Sequence, residues 1–229
     1  MLIQAVHRRS LLALILTVPL ASFGALMSLI IAPGISGQSV VVLCQFWLLA
    51  FPIAWLLQVE QQTLKIPKPK RRDWLIGTGV GLLMFSIILS TYWLFAKDWI
   101  NRTEVITKVQ QLANVNQLSF LVACVYFALI NALVEEYLWR WFVYRRCEQL
   151  ISSQSAVFLS AVFFTLHHVI VLAYYFDWQV VTVGTIAVFC AGVIWAQCYR
   201  KYRSIWSSYL SHAIAVIAIC IVAWQVLFG

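Results

Sequence analysis

Apolar residues run along this chain in long blocks, broken at intervals by short charged or polar stretches. A membrane-spanning helix needs about 20 such residues. Seven blocks qualify, at Leu11–Ile31, Ser39–Val59, Trp74–Phe95, Leu118–Val134 with a polar extension, Ser155–Phe176, Val180–Cys198 and Ile205–Phe228. They predict an all-α fold, a polytopic transmembrane bundle of about seven spans. The first block, at about 21 residues, is longer than the 7–15 of a signal-peptide core and is read as a retained span. Between the third and fourth blocks, Val105, Val109 and Leu112 recur at helical intervals among polar residues, which predicts an interfacial helix within Trp99–Asn116. No internal repeat or second domain is visible. Residues 1–229 are expected to form one membrane domain.

Composition supports this pattern. The chain is 63% hydrophobic and 10% charged, against about a quarter charged in soluble domains. Disordered, collagen-like and disulfide-scaffold classes are excluded. The net charge of +8 acquires meaning from its distribution. Alternate connections hold Arg8 and Arg9; Lys65, Lys68, Lys70, Arg71 and Arg72; Arg140, Arg145 and Arg146; and Arg200, Lys201 and Arg203. The others hold only Lys97, Arg102 and Lys108. By the positive-inside rule the N-terminus is cytosolic and, after seven spans, the C-terminus lies outside. The basic excess therefore points to the lipid bilayer and not to nucleic acid. The Pro-broken stretch Lys65–Lys70 is expected at anionic headgroups. Of six cysteines, five fall within spans and Cys147 is expected at the cytosolic face. They share no metal-ligand spacing and read as packing residues.

Charge inside a bilayer costs about 2.5–3.5 kcal/mol per group even on the lenient insertion scale, so it marks function. Glu135 and Glu136 follow the apolar run Leu118–Val134 without a turn signal, and Arg140 stands one helical turn past Glu136. Neighbouring residues on a helix point about 100° apart, so one arginine does not neutralise both carboxylates. One is left for general-base work. His167 and His168 fall deep in the fifth block and His212 early in the seventh, whereas His7 belongs to the basic N-terminal cluster. At a rise of 1.5 Å per residue, Glu135 and His212 lie about 10 Å, and His168 about 15–20 Å, from the cytosolic surface. These depths are compatible with a single site.

The motif Glu135-Glu136-Tyr137-Leu138-Trp139-Arg140 fits Glu-Glu-x-x-x-Arg, Phe164-Thr165-Leu166-His167-His168 fits Phe-x-x-x-His after the lead-in Ser160-Ala161-Val162-Phe163, and Ser208–Ala215 carries a final histidine motif around His212. In these the chain resembles the CAAX-protease and bacteriocin-processing (Abi) family of intramembrane glutamic endopeptidases, with a family-like core at about 118–228. The resemblance implies a multi-pass protein, in a bacterial cytoplasmic membrane, that hydrolyses a membrane-associated protein or peptide from the cytosolic side. It makes Glu135 the base that activates water. Glu136 and Arg140 hold its geometry, His168 (alternatively His167) assists the water, and His212 stabilises the oxyanion. Neither a metal nor another cofactor is implied. A zinc site would lack the His-Glu-x-x-His pattern.

One departure matters. Four residues after His212, where the family carries Asn or another polar residue, stands Val216, which has no hydrogen to donate. Losing one oxyanion donor costs about a hundredfold or more in rate. Alternative readings are therefore a non-catalytic family member that binds a membrane partner or confers immunity, and a small proton or cation transporter.

Overall fold

The computed structural model describes residues 2–63 and 67–229, with side chains from Gln4 onward; Lys65 and Ile66 of the basic linker lie outside the described residues. Among the described residues, seven helices are long and apolar enough to cross a membrane. They are α1 (Gln4–Ile31), α2 (Ile35–Val59), α3 (Arg71–Trp99), α5 (Gln117–Leu150), α6 (Ser153–Tyr175), α7 (Trp178–Tyr202) and α8 (Trp206–Phe228). The shorter α4 (Arg102–Leu112) lies between α3 and α5, where the sequence predicts an interfacial helix. Each expected block falls inside one observed helix, to within a residue at the ends. No strand is present among the described residues.

The lipid environment is legible on the bundle's outside. Leu118, Leu121, Val122, Val125, Phe127, Leu129 and Ile130 are all exposed along one stretch of α5. A water-soluble protein would not leave so continuous an apolar surface open. Asn101 caps α4 by accepting from the Glu104 N–H at 3.3 Å. Arg102 Nε donates to the Val226 carbonyl at 3.1 Å, which ties α4 to the end of α8. Val105 of α4 is buried against Tyr92 and Val226.

Helix pairing is tightest between α3 and α8 and between α6 and α7. The first pair rests on Gly77 and Gly81, one turn apart on α3. A Cβ on Gly77 would stand 2.8 Å from the Ser207 carbonyl oxygen, and one on Gly81 would stand 2.9 Å from the Ile214 Cβ. Small residues at this spacing let two membrane helices approach closely, since lipid offers no hydrophobic drive to hold them. That contact sets the position of α8 and of His212 upon it.

Past the glutamate pair α5 continues as helix to Leu150, as the absence of a turn signal there predicts, and it is more deeply packed than expected: Leu138, Trp139, Phe142, Val143, Tyr144 and Cys147 are all buried. Cys147 is thus a core residue, not a group at the cytosolic face. Arg146 is also buried and ion-pairs with Glu60, which directly follows α2. Arg140 is fully buried as well. Two of the arginines counted with the basic loops are therefore internal ion-pair partners. Burying a charge is tolerable only where a partner meets it.

Candidate active site

Four helices supply the site. On α5, hydrogen bonding widens to an i→i+5 pattern at Tyr126–Asn131 and again at Tyr137–Tyr144, and the intervening Ala132–Glu136 is ordinary α-helix. Wide turns of this kind recur at functional sites. They bracket the segment that carries both glutamates.

Glu136 lies in the protein interior. Its Oε2 is 3.2 Å from Arg140 Nε, and both side chains are 0% exposed. Its Oε1 accepts from His212 Nδ1 of α8 at 3.0 Å. A carboxylate offers no hydrogen in its ionised form, so this contact puts the proton on Nδ1 and turns Nε2 toward the site. The Arg140 guanidinium also rests over aromatic faces, 4.7 Å from the Phe164 centroid and 5.6 Å from that of Trp195. Trp195 of α7 stacks on the His212 ring with centroids 4.2 Å apart, and its indole N–H donates to Ser211 at 3.0 Å. His212 is thereby fixed by a hydrogen bond at one edge and an aromatic plane on its face.

Glu135 is the more open carboxylate. Its Oε2 stands 3.7 Å from His212 Nε2, and its Oε1 stands 4.0 Å from His167 Nε2. Both separations exceed a direct hydrogen bond and suit a shared water. His168 donates from Nδ1 to the Phe164 carbonyl at 3.0 Å. Because a carbonyl only accepts, Nε2 of the neutral ring carries the free lone pair. His167 is placed differently. Its ring stacks on Trp139 at 5.5 Å and 6°, and its Nδ1 finds no hydrogen-bond partner among the described residues. Glu135, His167 and His168 each offer a ligand atom, and these atoms lie within 4.8 Å of one another.

All the residues singled out in the sequence, Glu135, Glu136, Arg140, His167, His168 and His212, converge on one place. The helices that carry them do so across 76 residues of chain between Glu136 and His212. Of the aromatic cradle of Trp139, Phe164 and Trp195, the sequence singled out only Phe164, as the first residue of its motif, because buried aromatics are commonplace in apolar spans. It also left Asn131 unremarked. Its Nδ2 donates to Glu135 Oε1 at 2.9 Å, and a carboxamide inside the run Leu118–Val134 was the available signal.

Residues 117–218 match the family described as type II CAAX prenyl endopeptidase Rce1-like. The match spans 102 of the 229 residues. Every site residue named above falls within it. At the level of this family the activity is that of a CAAX-type endopeptidase, a hydrolase acting on protein substrates within the membrane. Comparisons with curated proteins and with solved structures returned no match.

Proposed function

We propose that the chain is a glutamic-type intramembrane endopeptidase that cleaves a membrane-associated protein or peptide from the cytosolic side. The observation that carries this reading is the Glu135 carboxylate, held between His212 Nε2 at 3.7 Å and His167 Nε2 at 4.0 Å, with His168 beside it. The division of labour between the glutamates follows from their surroundings. Glu136 is committed to Arg140 and His212 and is sealed from solvent. Glu135 is 18% exposed and has lone pairs to spare for a water.

In this mechanism Glu135 takes a proton from the water. The hydroxyl oxygen attacks the scissile carbonyl carbon, and the C=O electron pair moves to oxygen. Protonated His212, with Nδ1–H directed to Glu136, offers Nε2–H to the resulting oxyanion. His168 accepts from the water through Nε2 and aligns it. Collapse of the tetrahedral intermediate breaks the C–N bond, and the leaving amine recovers the proton from Glu135. The Glu136–Arg140 pair positions His212 rather than Glu135. Val216 contributes no donor, so the oxyanion depends on His212.

The test is cleavage of a membrane-anchored peptide by the purified chain in liposomes, with Glu135→Gln as the control. Equal cleavage by both proteins would refute the assignment. A second reading is favoured by the convergence of Glu135, His167 and His168, a donor set that suits zinc. In that reading Glu135, His167 and His168 would hold a divalent ion that would supply Lewis-acid activation of a water, and activity would stop on chelation and return with zinc.

A further inference from the structure

The apolar run leading to the glutamate pair contains one carboxamide, Asn131, half-buried on α5. A side-chain amide is costly in a membrane span unless a partner meets it. Here the partner is the proposed base itself. Asn131 Nδ2 donates to Glu135 Oε1 at 2.9 Å, nearer than either His212 Nε2 at 3.7 Å or His167 Nε2 at 4.0 Å. The contact is local in origin. The wide turn Tyr126–Asn131 gives way to regular helix at Ala132, so residues 131 and 135 stand one above the other on the same face.

The carboxylate of a glutamate rotates through a broad torsional well unless something holds it. Anchoring Oε1 to the amide fixes the carboxylate plane and leaves Oε2 facing His212. The amide is itself referenced to α8. Tyr209 of α8, three residues before His212, donates its hydroxyl at 3.1 Å to the carbonyl of Leu129, two residues before Asn131. Glu135 and His212 are thus aligned through the same helix pair. On α8, the residue one turn beyond His212 is Val216, which cannot take over this task.

We infer that Asn131 is a positioning residue for the hydrolysis, holding the Glu135 carboxylate so that Oε2 is aimed into the space shared with His212. This rests on the hydrolytic reading above. The amide acts through Glu135 and needs no contact with substrate.

The experiment measures kcat and KM for cleavage of a fluorogenic membrane-anchored peptide by the full chain in liposomes. It compares the wild type with Glu135→Gln, Asn131→Leu, Asn131→Ala and Asn131→Gln, with thermal unfolding recorded for each. Leu matches the size of Asn without a donor, and Ala serves if Leu fails to fold. Misaiming a reacting group by about 1 Å costs up to about a hundredfold. The expected result is a kcat about 10- to 100-fold lower for Asn131→Leu or Asn131→Ala, with KM within about twofold and unfolding temperature little changed. Asn131→Gln, which keeps the carboxamide, recovers most of the loss. The inference is overturned if the donor-free variants keep kcat within about twofold of wild type while Glu135→Gln is inactive. It is equally overturned if Asn131→Gln is as slow as Asn131→Leu and both unfold early, the signature of a purely structural contact. Undiminished cleavage by Glu135→Gln would instead remove the hydrolytic reading, and this inference with it.

Discussion

Replacing Arg140 by Met removes the arginine ion-paired with the fully buried carboxylate of Glu136. Glu136 and Arg140 are both 0% exposed and meet at 3.2 Å, so the variant leaves Glu136 with His212 as its remaining ion-pair partner. Removing one member of a buried pair costs about 3–5 kcal/mol, because the other charge stays desolvated and uncompensated. Loss of the guanidinium from above Phe164 and Trp195 adds about 0.5–2 kcal/mol. The double variant Glu136→Gln/Arg140→Met carries no orphaned charge and is expected to lose only about 1–2 kcal/mol, mostly that aromatic contact. Glu136→Gln alone leaves the Arg140 charge uncompensated and also costs about 3–5 kcal/mol, so the double variant is more stable than the two single changes summed by at least about 4 kcal/mol, a coupling above the roughly 0.5–3 kcal/mol usual for residues in one network. Reversible unfolding of the four proteins in mixed micelles measures it directly. Cleavage separates stability from function. In the double variant the carboxamide oxygen introduced at position 136 can still accept from His212 Nδ1. It carries no charge to support protonated His212, so the rate falls at least about tenfold although the protein is folded. The reasoning is refuted if Arg140→Met costs less than about 1 kcal/mol, or if the double variant is as unstable as the two single changes summed.

Other outcomes follow from the same geometry. His168→Ala should lower kcat more than His167→Ala, since the Phe164 carbonyl orients His168 through a hydrogen bond while His167 is held by ring contacts; steady-state cleavage kinetics decide it, and the reverse order would assign the role to His167. Treatment with 1,10-phenanthroline should leave cleavage unchanged if Glu135 itself activates water, and loss reversed by zinc would favour the metal reading. Gly77→Val should destabilise the α3–α8 contact by at least about 1–3 kcal/mol, because its Cβ would stand 2.8 Å from a backbone oxygen that has little room to move. Thermal unfolding in detergent reads that loss, and an unchanged midpoint would contradict the close packing.

How much of this was legible beforehand differs between the fold and the site. The spans follow from local composition, which the bilayer reads directly, so the blocks from Leu11–Ile31 through Ile205–Phe228 each correspond to one observed helix. Ends were less legible. Arg146 looked like the marker of a loop, whereas packing against Glu60 buries it within the bundle, and Arg140, legible as a partner one helical turn past Glu136, was also counted with the loop arginines although it is fully buried. The choice between His167 and His168 was also undetermined, because adjacent residues in a helix share depth but not direction.

Sequence by itself determined the transmembrane class, the order of the motifs and the identity of the ionisable residues that a membrane would not tolerate without purpose. It did so because desolvation acts on each residue where it stands. Tertiary structure alone decided how those residues are brought together and which of them are sealed from solvent. The close approach of α3 and α8 at Gly77 and Gly81, with contacts to α4, α5 and α7, positions α8, and α8 packed against α5 brings His212 to Glu136 at 3.0 Å. Distances between helices separated by dozens of residues depend on packing, which no local pattern encodes. That packing seals Glu136 in the interior and leaves Glu135 the more exposed carboxylate.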